Sequence, residues 1–199
     1  LAIARPPPGF GSDRALIPLT FDINFDLTAD YAASFAFNTV GYTINGGANV
    51  LIGGTEQIEK VFEMSRIAKI EMTILPAATE LAYNNQTLAT GATNIPYVYT
   101  AIDYNDTTTP TTAILKQNPT VKMDTFNKVV RRTFYPRLEG ANGVIDTGAN
   151  QRNLFQKTGT SSSQEWHGIQ VYLDMRNVVW TYGGGRILFK VFYECMQSK

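Results

Sequence analysis

The sequence predicts an all-β fold, a single eight-stranded antiparallel jelly-roll sandwich with long loops and one short helix. Three observations support this prediction. Apolar and polar residues alternate through most of the chain, which is the two-residue period of a half-buried strand. Long polar loops separate these segments, and 199 residues with 44% hydrophobic content can bury one core. An immunoglobulin-type sandwich is the second architecture that fits this pattern.

The alternation defines the predicted strands. In residues 17–27 every odd position is apolar, and residues 68–74 carry their apolar side chains at the even positions. The even positions of this second segment are Ala68, Ile70, Met72 and Ile74. Further strands are predicted at residues 97–102, 121–126 and 128–135, and two strands at residues 169–175 and 187–195 close the chain.

One short helix is predicted before the second of these strands. Thr55 can cap it, and Ile58, Val61 and Phe62 follow at the spacing of one apolar helix face. Four long polar loops are predicted at residues 41–54, 77–96, 105–119 and 139–165. Loops of this length usually bind ligands or contact partner subunits.

We expect two parts in the chain, an extended N-terminal arm over residues 1–15 and one jelly-roll domain over residues 16–199. A run of three prolines at residues 6–8 favours an extended arm. No segment has the composition of a signal peptide, and no apolar run is long enough to span a bilayer. We therefore predict no membrane insertion.

Charge and cysteine content restrict the kinds of site that the chain can form. Seventeen basic and seventeen acidic residues balance, so net charge does not indicate a nucleic-acid-binding protein. Cys195 and His167 are the only residues of their types, too few for a zinc site made of thiolates and imidazoles. We predict no metal site and no cofactor. Cys195 is expected to be a small buried residue near a strand end.

One short motif is typical of an aspartic protease. Asp146, Thr147 and Gly148 follow two branched apolar residues, as in a loop that presents a catalytic carboxylate. Such an enzyme needs two facing carboxylates that share a proton, and this sequence contains a single Asp-Thr-Gly. An ordinary turn in a polar loop is therefore favoured, and a hydrolase that uses Asp146 is the third-ranked alternative. We predict no catalytic residues.

Residues 122–137 carry five basic side chains and one acidic side chain, Asp124. Strand alternation places Lys128 and Arg132 on one face and Arg131 on the other, so these cations do not form one stripe. Two interpretations remain open. The segment is either a phosphate-binding surface or, as we favour, a mixture of subunit contacts and solvated charges.

Four segments occur in an informative order, and they are EKVFEMSRIAKIEMTILPA (59–77), NIPYVYTAIDYND (94–106), NKVVRRTFYPR (127–137) and EWHGIQVYLDM (165–175). They describe a short helix before a strand that ends in Pro, a Tyr-rich strand closed by Asp, a basic strand ending near Pro, and a Trp before a Gly-led strand. This order resembles the capsid proteins of circovirus-like single-stranded DNA viruses. The resemblance covers roughly residues 17–193.

The resemblance implies a homo-oligomer, an icosahedral T=1 shell of about 60 copies that encloses single-stranded DNA. It implies a location in the virion, and in the host nucleus during assembly. It also implies an Arg-rich N-terminal arm that binds the DNA, and we expect this arm upstream of Leu1. The residues that we expect near nucleic acid are Arg5, Arg14, Lys128, Arg131 and Arg132.

The main alternative to a capsid protein is a carbohydrate-binding jelly-roll module. In that case aromatic side chains from the loops, such as Tyr83 and Tyr104, stack on sugar rings.

Overall fold

The structure, a computed structural model, describes residues 14–26, 29–76, 96–104, 108–138, 155–157, 165–175 and 184–196. Most of the predicted arm lies outside these ranges, as do Arg5, Tyr83 and Asp146. The elements in chain order are β1 Arg14–Asp26, β2 Tyr31–Phe37, β3 Gly41–Ile44, β4 Val50–Leu51, α1 Thr55–Val61, β5 Met64–Leu75, β6 Tyr97–Ala101, α2 Thr112–Gln117, β7 Lys122–Thr125, β8 Val130–Phe134, β9 Arg137–Leu138, β10 Gln156–Lys157, β11 Trp166–Asp174 and β12 Gly184–Met196.

These strands form two antiparallel sheets. In the first sheet β1, β12 and β5 lie in that order, and both β8 and β10 pair with β5. The second sheet has the order β4-β3-β2-β11-β6-β7, and β9 pairs with β11. Within them, β1-β12-β5-β8 and β2-β11-β6-β7 are the two four-stranded orders of a jelly roll. The predicted all-β jelly-roll sandwich is confirmed.

One large apolar core joins the two sheets. Alternate side chains of β12 face it, and Phe189 at its centre is fully buried. The Phe189 ring lies 5.2 Å from Phe21 of β1, in its own sheet, and 5.0 and 5.5 Å from Phe35 and Phe37 of β2, in the other sheet. These centroid distances are those of aromatic contacts, so the rings pack across the sandwich. A smaller cluster of Tyr99, Ala101 and Leu115 packs α2 against β6.

The helices differ from the prediction in number and in detail. Gly54, with a φ of 101°, is the N-cap of α1. Thr55, the predicted cap, is buried, and its hydroxyl instead donates to the carbonyls of Val40 and Ile52. Val61, predicted on the apolar face of the helix, is 53% exposed. A second helix, α2, lies inside the predicted loop 105–119, where the Thr111 side chain accepts a hydrogen bond from the N–H of Ile114. The prediction of one short helix is therefore wrong. In the described ranges, neither helix is long and apolar enough to cross a bilayer.

The second predicted strand contains a β-bulge. Phe192 of β12 pairs with Lys69 and Tyr193 pairs with Ile67, so Ala68 is an additional residue. Ile67 is buried before the bulge, and Ile70 is buried after it. The predicted apolar face is correct from Ile70 onward and wrong at Ala68, because the bulge interrupts the two-residue period.

Gly185 leaves space for an aromatic ring, and a substitution there tests the packing of β1 on β12. A Cβ at Gly185 would lie 2.0 Å from Cζ of Phe25, the residue that pairs with it. That ring stacks on Tyr31 at 4.5 Å. We expect Gly185→Ala to displace the ring and to lower the free energy of unfolding by roughly 1–3 kcal/mol, as measured by urea denaturation.

Two controls accompany the Gly185 variant. A Cβ at Gly53 meets no atom within 4 Å, so Gly53→Ala should leave the urea midpoint nearly unchanged. In a Phe25→Leu background the cost of Gly185→Ala should fall, because the clashing ring is absent. Strictly additive effects would contradict the proposed overlap.

Candidate functional site

The basic segment of the sequence forms one edge of the sandwich. β7 is the last strand of the second sheet, and β8 pairs only with β5 in the first. Residues 126–129 connect them, and the buried Phe126 donates its N–H to the carbonyl of Pro96 at 2.8 Å. This bond holds the connection beside β6, so the cations of β7 and β8 lie close together although the strands belong to different sheets.

Arg132 lies on the core-facing side of β8, between Val130 and Phe134, and is 7% exposed. Its Nη2 donates to the carbonyl of Thr120 at 2.8 Å, and its Nε has no hydrogen-bond partner among the residues that the structure describes. Burial lowers the pKa of Arg132, and the Asp124 carboxylate opposes this shift. The guanidinium stays charged at neutral pH because an arginine pKa is ordinarily so high.

A cavity of about 420 Å³ lies beside Arg132, and we call it the basic cavity. The residues that line it include Ile102, Pro119, Thr120, Lys122, Arg131 and Arg132. Lys122 and Arg131 are exposed, and no carboxylate lies among the described residues that line the cavity. This described lining therefore contains three basic residues, one buried and two exposed.

The structure brings together only part of the predicted basic set. Lys128 lies outside β8, because the strand begins at Val130, and its Nζ is 2.8 Å from Oδ1 of Asp124. Arg131 and Arg132 lie on opposite faces of β8, as the alternation predicts, and both residues line the basic cavity. Lys122 completes the cavity and was absent from the predicted site residues. The sequence feature that could have identified Lys122 is its position before a predicted turn that is followed by further basic residues.

Arg14 belongs to a different cluster, at the start of β1. Its Nη1 donates to Oε1 of Glu194 at 3.1 Å, and Arg66 donates through Nε to the other carboxylate oxygen at 2.6 Å. Both guanidinium groups lie over the Phe155 ring, with 5.3 and 5.1 Å to its centroid. β1 and β8 are at opposite edges of the first sheet, so Arg14 and the basic cavity are separate sites.

The residues of the alternative functions are placed less favourably. The guanidinium of Arg137 lies 4.4 Å from the centroid of the Tyr104 ring, so one ring face is already covered. Cys195 is fully buried near the end of β12, as predicted, and burial, with the charge of Glu194, raises the pKa of its thiol to about 12. Among the described residues, no three His, Cys, Asp or Glu side chains are grouped to hold a metal ion.

Several large apolar side chains are exposed in two regions. Val50, Leu51 and Val61 lie on the edge strand β4 and on α1, and Leu51 is 67% exposed. Met123, Val129 and Tyr135 lie on or beside β7 and β8, where Met123 is 57% exposed. Exposed apolar groups at sheet edges are typical of surfaces that contact another protein.

No protein-family model and no curated protein matches the sequence. Solved structures do match. The decameric BFDV capsid protein has a TM-score of 0.57 at 12% identity, with 92% of this chain and 99% of that chain covered. The 60-mer of the BFDV capsid protein has a TM-score of 0.56 at 16% identity, with 94% and 96% covered.

A virus-like particle of the giant freshwater prawn Macrobrachium rosenbergii nodavirus also matches, with a TM-score of 0.52 at 9% identity and with 100% of this chain and 91% of that chain covered. At these identities the comparisons show the fold alone, and that fold is the jelly roll of viral capsid proteins. BFDV and a nodavirus are different viruses that share it, so the fold does not determine the genome type.

Proposed function

We propose that the chain is a viral capsid protein that self-assembles into an icosahedral shell. The observation that carries the proposal is the jelly-roll match to capsid proteins over more than nine-tenths of both chains. In this role the protein is structural and has no catalytic residues.

The two exposed apolar regions support assembly. In a closed shell, different surface patches of one subunit contact each other between neighbouring copies, and the rotation from copy to copy closes the assembly. The region on β4 and α1 and the region on β7 and β8 are distinct patches of this kind. We propose that they contribute to subunit contacts.

The finer proposal is a T=1 shell of about 60 copies around single-stranded DNA, assembled in the host nucleus. Its support is the ordered resemblance of the four sequence segments to circovirus-like capsid proteins. We propose that the DNA is bound mainly by a basic N-terminal arm, with Arg5, Arg14, Lys128, Arg131 and Arg132 nearby. Arg131 is the strongest of these candidates, because Arg14 and Lys128 already pair with carboxylates.

Electron microscopy and nuclease digestion of the purified protein test the proposal. We expect uniform spherical particles whose nucleic acid resists DNase until the particles are disrupted. A protein that stays strictly monomeric under several salt and pH conditions would contradict the capsid function. Particles that protect RNA instead of DNA would contradict only the proposed genome type.

A further inference from the structure

We propose that the basic cavity binds the phosphate group of a nucleotide. The proposal deepens the proposed function and rests on it where that nucleotide belongs to the enclosed genome. The described residues that line the cavity belong to a single chain, so binding can be measured on the purified protein.

The guanidinium of Arg132 is buried at the wall of the cavity. A buried charge is stable only when its donors are satisfied, and an unsatisfied donor carries a desolvation cost. Within the described part of the chain, Nε of Arg132 has no partner, although Nη2 is bound to Thr120. Asp124 is the carboxylate that acts on Arg132, and it is engaged by Lys128 at 2.8 Å. Nε is itself shielded from solvent, so an oxyanion in the cavity would be attracted by the charge of the guanidinium and would not bond to Nε.

Two further basic residues carry positive charge at the entrance of the cavity. Lys122 and Arg131 are exposed, line the cavity and form no ion pair within the described ranges. Three basic residues thus line one cavity in a chain whose net charge is zero. Arginine presents a planar fork that matches phosphate geometry, and lysine adds a mobile point charge. This set of donors is suited to a phosphate rather than to a neutral sugar.

The basic cavity is also large enough to hold more than a phosphate group. About 420 Å³ lies within the usual range of ligand pockets, so the cavity has room for a group attached to the phosphate. Ile102, Pro119 and Val121 add apolar residues to the lining. A phosphate that carries a sugar and a base therefore fits the cavity better than a free ion does. Inorganic phosphate shares the recognition chemistry but leaves the apolar lining unused.

Isothermal titration of the full chain tests this site with three probes: thymidine 5′-monophosphate, inorganic phosphate and thymidine. We expect the monophosphate to bind more tightly than inorganic phosphate, and thymidine not to bind. Lys122→Gln and Arg131→Gln should each weaken monophosphate binding about 10-fold, the loss of one charge-assisted contact. Arg131→Lys should recover only part of that loss, because it keeps the charge without the fork.

Lys60→Gln is the matched control, because Lys60 is an exposed lysine on α1 outside the cavity. It should change monophosphate affinity less than 2-fold. Arg132→Gln should abolish binding, and the two exposed variants keep the test valid if this buried variant does not fold. Equal weakening by Lys60→Gln, or thymidine binding as tightly as its monophosphate, would overturn the site. Tighter binding of inorganic phosphate than of the monophosphate would overturn the nucleotide assignment.

Particle formation is measured on the same variants by electron microscopy. Particles without monophosphate binding would overturn the cavity site and leave the capsid function standing. Monophosphate binding by a protein that never assembles would contradict the capsid function and support the site.

Discussion

Phe189→Ala is expected to destabilise the subunit more than any other single substitution considered, by about 3–5 kcal/mol. Phe189 is fully buried and contacts aromatic rings of both sheets, so its removal opens a cavity that β12 alone cannot close. The net stability of a domain is only about 5–15 kcal/mol, so this loss is a large share of it.

The matched control for Phe189→Ala is Phe192→Ala. Phe192 lies on the opposite face of the same strand, only partly buried, and its ring contacts the ammonium groups of Lys69 and Lys190 at 4.2 and 5.1 Å. Its replacement should cost about 1 kcal/mol, since exposed cation–π contacts are weak. Chemical denaturation followed by circular dichroism measures both variants. Equal losses would contradict the assignment of Phe189 to the centre of the core.

Glu194→Ala is expected to lower the free energy of unfolding by about 3 kcal/mol. Glu194 is 5% exposed and accepts hydrogen bonds from Arg14 and Arg66, whose side chains are 41% and 15% exposed. Its removal leaves the Arg66 guanidinium partly buried without this carboxylate, which is the main cost. The contribution of Arg14 is smaller because water solvates it.

The control for Glu194 is Asp22→Ala, which breaks the exposed pair of Asp22 and Arg186 on the same two strands. Their side chains are 36% and 52% exposed, so the expected loss is below about 1 kcal/mol. Thermal denaturation of both variants separates the two cases. An effect of Asp22→Ala as large as that of Glu194→Ala would show that burial does not determine the strength of these ion pairs.

Sequence reasoning succeeded where one strand face is buried and the other is solvated. β1 and β12 alternate in this way, and both were predicted within a few residues of their bounds. β2 was missed because five of its seven residues in a row are buried, which removes the alternation. β3 and β4 lie in the predicted loop 41–54 and were also missed, because their pairing depends on tertiary packing. The two strands approach so closely that a Cβ at Gly41 would lie 2.2 Å from the carbonyl oxygen of Val50.

The candidate site was also predicted only in part, because local spacing does not show how distant segments pack. Local spacing identified Arg131 and Arg132 and could also have paired Lys128 with Asp124, four positions away. It could not show that Arg132 faces the core, because an arginine there breaks the expected pattern. It also could not place Lys122 beside Arg131, since the fold brings edges of two different sheets together.

The mass of the purified protein in solution, measured by analytical ultracentrifugation, tests the capsid assignment most directly. The chain mass is 22.0 kDa, and a shell of about 60 copies has a mass of about 1.3 MDa. We expect one fast-sedimenting species near that mass, which dissociates to subunits or small oligomers when the shell is disrupted. A single species near 22.0 kDa at all salt and pH conditions would contradict it.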